Sequence, residues 1–136
     1  YSNGIPRIES DKYPGYYNSK LKTNYPELEA ILKEWADLYL PQDFQYNQVV
    51  INKNFKTLKH KDSKNVGLSY IVGLGNYQGG SLVVVEDEPD YFETEIDIKN
   101  KPYGFNGSDK FHYTKEFKGT RYSIVFYQNN LLKIKL

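Results

Sequence analysis

The chain has no cysteine and no methionine, and among 136 residues only two histidines, two arginines and one tryptophan. Without cysteine there are no disulfides, thiolate metal sites or cysteine nucleophiles, and the absence fits a reducing compartment. No apolar run approaches the roughly 18–20 residues a membrane helix needs, and no secretion signal is expected at Tyr1. The lack of any Met fits a processed or partial product. Neither sign of charge dominates: the net charge is +1 and 39% of residues are apolar. Bulk composition therefore indicates neither disorder nor a strongly polyanion-binding protein. The length suits one compact domain with a single core. The expectation is a soluble intracellular protein, cytoplasmic or nuclear, with no membrane association.

What is scarce is also informative by position. The histidines are His60 and His112. The arginines are Arg7 and Arg121, against sixteen lysines. An arginine at one interior position of a lysine-rich chain points to a need for a planar fork, which lysine cannot supply.

Residues 1–25, rich in Tyr, Asn, Gly, Pro and Ser, read as an irregular arm. A helix is expected over 26–40, where Leu28, Ile31, Leu32, Trp35, Leu38 and Tyr39 recur on one apolar face. Asn24 suits the N-cap, Pro26 the first turn, Glu27 and Glu29 the positive helix end, and Pro41 the stop. Beyond Pro41 the pattern reads as strands: 48–55, 68–74, then the turn-rich 75–80, then 81–85. The last is a continuous apolar run that implies burial on both faces. Residues 92–99 alternate with the period of a half-buried strand. Further strands are expected near 103–105, 111–114 and 120–127, with 132–136 as an added edge. Short strands at regular intervals after one helix predict a mainly β fold with a packing helix, arranged as a double-sheet jelly roll over 44–136.

His60-Lys61-Asp62 lies just beyond the first long strand. Residues i and i+2 of extended backbone point to the same side, so this imidazole and carboxylate can converge on one ion. Alone, such a triplet is usually a solvated loop, and His112 alone is more often a hydrogen-bonded core residue. Together, two histidines and a carboxylate make the facial set used for non-haem Fe(II), with three positions left open. Nine residues after His112 comes Arg121, which shares a strand face with Ser123. A guanidinium fork beside a hydroxyl suits a carboxylate.

With these residues in place, the segments INKNFKTLKHKDSKNVGLSYIVGLGNYQGGSLVVV and FNGSDKFHYTKEFKGTRYSIVFY resemble the 2-oxoglutarate/Fe(II) dioxygenase superfamily. Its pattern is H-x-D, a distal His and a basic residue about ten positions later. GNYQGGSLVV looks like the glycine turn of the TET/JBP-like nucleobase oxygenases and of the prolyl hydroxylases. The resemblance covers roughly residues 50–127 and implies a double-stranded β-helix (the jelly roll above). It implies Fe(II) on His60, Asp62 and His112, and 2-oxoglutarate chelating that iron while its far carboxylate meets Arg121 and Ser123. It also implies O2 as co-substrate and hydroxylation of a substrate C–H coupled to release of succinate. Asn52, Asn54 and Tyr70 are further candidates for binding the co-substrate or the substrate, although core or edge positions explain them equally well.

The substrate is not specified. Lys53, Lys56, Lys59, Lys61 and Lys64 cluster around the proposed metal loop; such a run is usually a solvated face, but it would also suit a nucleic acid carrying the reactive base. The alternatives are a peptidyl, prolyl-type hydroxylase, a catalytically inactive jelly-roll binding module, and a cupin-like metal enzyme, for which the chain has few histidines. Gly79-Gly80 is either a simple turn or part of the glycine motif. Gly73 and Gly75 could instead mark where backbone approaches closely, at a bulge or at a bound ligand.

Overall fold

The computed structural model describes residues 2–3 and 24–129. After a two-residue strand β1 (Ser2–Asn3) comes the helix α1 (Pro26–Tyr39). Nine strands follow: β2 (Gln48–Lys53), β3 (Ser69–Leu74), β4 (Tyr77–Gly79), β5 (Leu82–Glu86), β6 (Phe92–Ile96), β7 (Tyr103–Phe105), β8 (Phe111–Thr114), β9 (Phe117–Gly119) and β10 (Tyr122–Tyr127). They form an antiparallel five-stranded sheet in the order β1-β2-β10-β3-β7, a three-stranded sheet β6-β5-β8 and a two-stranded ribbon β4-β9. The ribbon continues the three-stranded sheet: Lys115 N–H donates to Ser81 O at 3.0 Å and Gly80 N–H to Glu116 O at 2.9 Å. The bend lies at Gly79 and Gly80, with φ of 78° and 71°, a region open to glycine without strain.

Strand alternation decides which residues face which layer. On β2, β3 and β10, Val49, Tyr70 and Phe126 pack under the helix with Leu32, Ala36, Leu40, Phe44 and Tyr46. Ile71 and Val125 turn the other way and meet Leu82, Val84, Ile98 and Phe105 between the two larger sheets. On β5, Leu82 and Val84 point inward and Val83 and Val85 outward, and all four are buried. The apolar run thus reads as expected.

Several expectations need correction. The helix starts one residue later than an Asn24 cap requires: the N-cap is Tyr25, with no side-chain cap bond and Pro at the helix start, and Glu29 N–H is bonded to Tyr25 O at 3.1 Å. The buried stripe is Glu29, Leu32, Ala36 and Leu40, whereas Ile31, Leu38 and Tyr39 are exposed. The small Ala36 lets the helix lie close to the sheet while Trp35 covers one flank, stacked on Phe126 at 5.7 Å. β6 is not half-buried: Phe92 to Glu95 are exposed and only Ile96 is partly covered, and β6 is the edge strand of its sheet. Ile98, beyond its end, is fully buried. Within the arm expected to be irregular, Ser2 and Asn3 pair with Val50 and Val49. The turn at 75–80 contains β4, and 120–127 begins as a strand only at Tyr122. The edge expected at 132–136 lies outside the described residues.

Candidate metal centre

The segment after β2 runs back along β8 as a further edge. Thr114 N–H donates to Thr57 O at 3.1 Å, His112 N–H to His60 O at 3.0 Å and His60 N–H to His112 O at 3.1 Å. His60 and His112 are therefore directly opposed, with ring centroids 4.3 Å apart. Asp62, two residues on, is tied down by its N–H to Gly107 O at 2.8 Å and by its carbonyl, which accepts Asn65 N–H at 2.9 Å. Gly107 leaves the carboxylate its place: a Cβ there would lie 2.7 Å from Asp62 Oδ2.

The three side chains converge, each offering one donor atom within 4.8 Å of the others. The outer ring nitrogens settle which atoms face inward. His60 Nδ1 is 2.6 Å from Leu58 O and His112 Nδ1 is 2.9 Å from Lys110 O. Carbonyls only accept, so each Nδ1 carries a proton and a neutral ring presents its Nε2 lone pair to the centre. Those lone pairs stand 3.3 Å from Asp62 Oδ1 and 3.1 Å from Asp62 Oδ2. Acceptors so close repel unless positive charge lies between them, as a proton on each ring or as one shared metal ion. The donor set fits a divalent ion of the Fe(II) type. Burial raises the Asp62 pKa, but with the rings protonated the hydrogen bond from His112 and the charges of His112 and His60 outweigh it and leave the carboxyl below the ordinary aspartate value.

The triad opens into a cavity of about 200 Å³ between the sheets. Its floor carries Val50 and Asn52 from β2, Ile71 from β3, Phe105 from β7, and Ser123, Val125 and Tyr127 from β10; across from it lie Leu82, Thr57 and Thr114. Ser123 lies opposite Asn52 on one side and Gly73 on the other. Arg121, on the same face of the chain just before β10, is only 2% exposed. Its guanidinium sits 5.6 Å from the ring centroids of both Tyr77 and Phe117, and its Nε donates to Gly80 O at 3.2 Å. Gly80 has to be small, since a Cβ would come within 2.8 Å of that Nε. Arg121 Nη2 and the Tyr77 hydroxyl are buried without a hydrogen-bond partner among the described residues. Burial lowers the Arg121 pKa and raises that of Tyr77, each partly offset by the other group. A buried guanidinium N–H and a buried hydroxyl with spare hydrogen-bonding capacity are a pair of groups that a carboxylate can satisfy.

Of the residues singled out from the sequence, the structure brings together His60, Asp62, His112, Asn52 and Ser123 around one cavity, with Arg121 two residues from Ser123. Asn54 is placed otherwise: its Oδ1 accepts Arg121 N–H at 2.8 Å and its N–H donates to Arg121 O at 2.7 Å, so it braces the backbone that holds the guanidinium. Tyr70 lies on the opposite face of the sheet, against Phe44 at 4.7 Å. Of the lysines, Lys56 is paired with Glu116. Lys59 and Lys61 flank His60 and point away from the cavity, each over the ring of Phe111 at 5.3 and 4.5 Å. Reading the sequence missed Thr57, Thr114, Tyr77 and Gly107. Thr114 could have been found by the same i+2 rule that paired His60 with Asp62, since it is two residues past His112.

No family model matches the chain, and no curated protein matches it. Among solved structures, its fold is similar to that of an oxidoreductase of the 2OG-Fe(II) oxygenase family from Burkholderia pseudomallei. The TM-score is 0.60 at 16% identity, over 93% of this chain and 66% of that one, just under two thirds of its length. The likeness is one of fold. Among the described residues, no helix is long and apolar enough to cross a membrane.

Proposed function

We propose that this chain is an Fe(II)- and 2-oxoglutarate-dependent dioxygenase built on a double-stranded β-helix. The observation that carries the reading is an inward-facing His60–Asp62–His112 set at a cavity also lined by Ser123, with the buried guanidinium of Arg121 two residues from Ser123 and one of its N–H groups unused. The fold likeness supports it, and so do the opposed antiparallel sheets. His60 Nε2, His112 Nε2 and one Asp62 oxygen would hold the metal; Arg121, Tyr77 and Ser123 would hold the far carboxylate of the co-substrate. Asn52 and Thr114 would border the space between.

Iron bound there would supply the means of activating O2. Overall, one oxygen atom enters a substrate C–H bond as a hydroxyl, the other enters the succinate carboxylate, and the former C1 of 2-oxoglutarate leaves as CO2. The chain's own contribution is placement. The bridge between His60 and His112 fixes both rings before any ligand arrives, which lowers the reorganisation needed on binding. Ile71, Leu82, Phe105 and Val125 keep the surroundings apolar and water scarce. The nucleic-acid substrate that the lysines raise would have to reach the cavity past a wall that carries none of them.

The test is succinate release by the purified protein with Fe(II), 2-oxoglutarate and O2, each omitted in turn, alongside anaerobic Mn(II) titration. Succinate that depends on all three is expected. Absence of metal binding at micromolar concentration would overturn the proposal.

A further inference from the structure

Among the described residues, neither a lysine nor an arginine lines the cavity at the triad. The hollow of about 550 Å³ that shares Thr57 with it supplies no cation either. That hollow opens on the outer face of the three-stranded sheet, where Tyr113 and Lys115 alternate with the inward His112 and Thr114. Its Lys56 and Lys115 are paired with Glu116 and Glu95, and its Lys59 lies over the rings of Tyr91 and Phe111. An anion beside the metal must therefore be met by neutral donors, with Arg121 left for the far end.

Two pairs of such donors line the cavity. On the floor, Asn52 stands opposite Ser123. Across from them, the Thr57 and Thr114 hydroxyls are bonded to each other at 2.8 Å. Thr114 and Ser123 are each only 5% exposed. Two hydroxyls carry two protons, and their mutual bond uses one. Among the described residues neither threonine hydroxyl has another partner, and the Asn52 carboxamide, with its two N–H donors, has none. Enclosed donors of this kind favour an acceptor brought by a ligand. At about 200 Å³ the cavity holds the volume of about seven liquid waters at about 30 Å³ each, so a ligand seated in it touches both walls. Thr114 is two residues from His112 and Thr57 three from His60, so the hydroxyl couple adjoins the metal ligands, whereas Ser123 leads to Arg121.

We infer that the Thr57–Thr114 couple and Asn52 form a neutral clamp, one part on each wall, for the carboxylate that a 2-oxo acid places beside the metal. A threonine hydroxyl and the Asn52 N–H groups donate to that carboxylate, while Arg121 and Ser123 serve the far one. The inference rests on the oxygenase reading. Its test compares 2-oxoglutarate with pyruvate, which has the 2-oxo acid end and no second carboxylate. Binding to the Mn(II)-loaded protein is read without oxygen from the water-proton relaxation of the bound ion, which follows ligands up to millimolar concentration. The double variant Thr57→Val/Thr114→Val replaces both hydroxyls by groups of the same shape, which keeps the fold in place. This variant and Asn52→Ala should each weaken both acids by the same factor, about tenfold or about 1.4 kcal/mol, with Mn(II) affinity unchanged. Arg121→Ala should weaken 2-oxoglutarate alone. Unchanged binding of both acids in the two clamp variants, or loss of 2-oxoglutarate alone, would overturn the clamp and leave the oxygenase reading standing. A wild type that binds Mn(II) but neither acid would overturn both.

Discussion

His60 and His112 face each other as a closely paired couple, each donating its backbone N–H to the other's carbonyl, at 3.1 and 3.0 Å. This relationship aligns two rings that stand 52 residues apart in the sequence. It places both Nε2 atoms on the side where Asp62 arrives. The bonds are made by backbone, so side-chain replacement should leave the scaffold in place.

His60→Ala and Asp62→Ala should therefore each reduce Mn(II) affinity by two orders of magnitude or more, about 2.7 kcal/mol, with little change in Tm. Both side chains are partly exposed. His112→Ala should lose the metal as well, with some loss of stability, since His112 is buried against Phe105. Calorimetric titration and thermal melts check both halves. Affinity should also fall with pH, because ligating imidazole must be neutral.

Gly107→Ala tests the placement of the carboxylate without touching a ligand. The new methyl would sit 2.7 Å from Asp62 Oδ2, so the carboxylate must move. Metal affinity should drop about tenfold, about 1.4 kcal/mol, with a native circular dichroism spectrum. Unchanged affinity would mean that Asp62 does not hold the metal in this pose.

Arg121→Ala should raise the 2-oxoglutarate concentration needed for half-maximal succinate release by about two orders of magnitude, about 2.7 kcal/mol, and Arg121→Lys should fall between, since an ammonium makes a point contact. Ser123→Ala should cost about 1 kcal/mol. Gly73→Ala should act in the same direction, because its Cβ would collide with the Tyr77 hydroxyl. Metal affinity should hold in all four. Coincident 2-oxoglutarate curves for wild type and Arg121→Ala would make Arg121 a packing residue.

On the outer face, Tyr113 donates to Glu93. Chiefly through that bond, its phenol is pushed up to about 12. The sign follows: a folded pKa above the unfolded value of about 10 favours folding below pH 10, and that contribution fades as pH rises from about 10 to 12. Ultraviolet titration of wild type against Tyr113→Phe should show the missing phenol ionising last among the accessible tyrosines. Its ionisation near pH 10 would contradict the contact.

The helix provides a stability test. Ala36→Leu should cost about 1–3 kcal/mol by overpacking, whereas Ile31→Ser should change stability by about 0.5 kcal/mol or less. Urea denaturation separates them. The reverse order would restore the broader apolar face that periodicity alone suggests.

Local pattern was enough for much of this protein. The i+2 spacing of His60 and Asp62, the alternation along β2 and β10 and the apolar run of β5 are short-range properties of backbone geometry, readable wherever they occur. The scarcity of histidine and arginine made His60, His112 and Arg121 conspicuous before any fold was known. What local pattern could not supply was which side of a strand or helix meets which layer. Tyr70 and Asn52 are equally polar on paper; only the pairing of β3 and β2 with β10 turns one under the helix and the other into the cavity. Phe92 alternates like a buried residue yet is exposed, because β6 is an edge. The orphaned Nη2 of Arg121 and the two glycines that make room for Tyr77 and for Asp62 arise where segments distant in sequence meet. Register across strands decides those contacts, and register is set by the packing of the whole sheet.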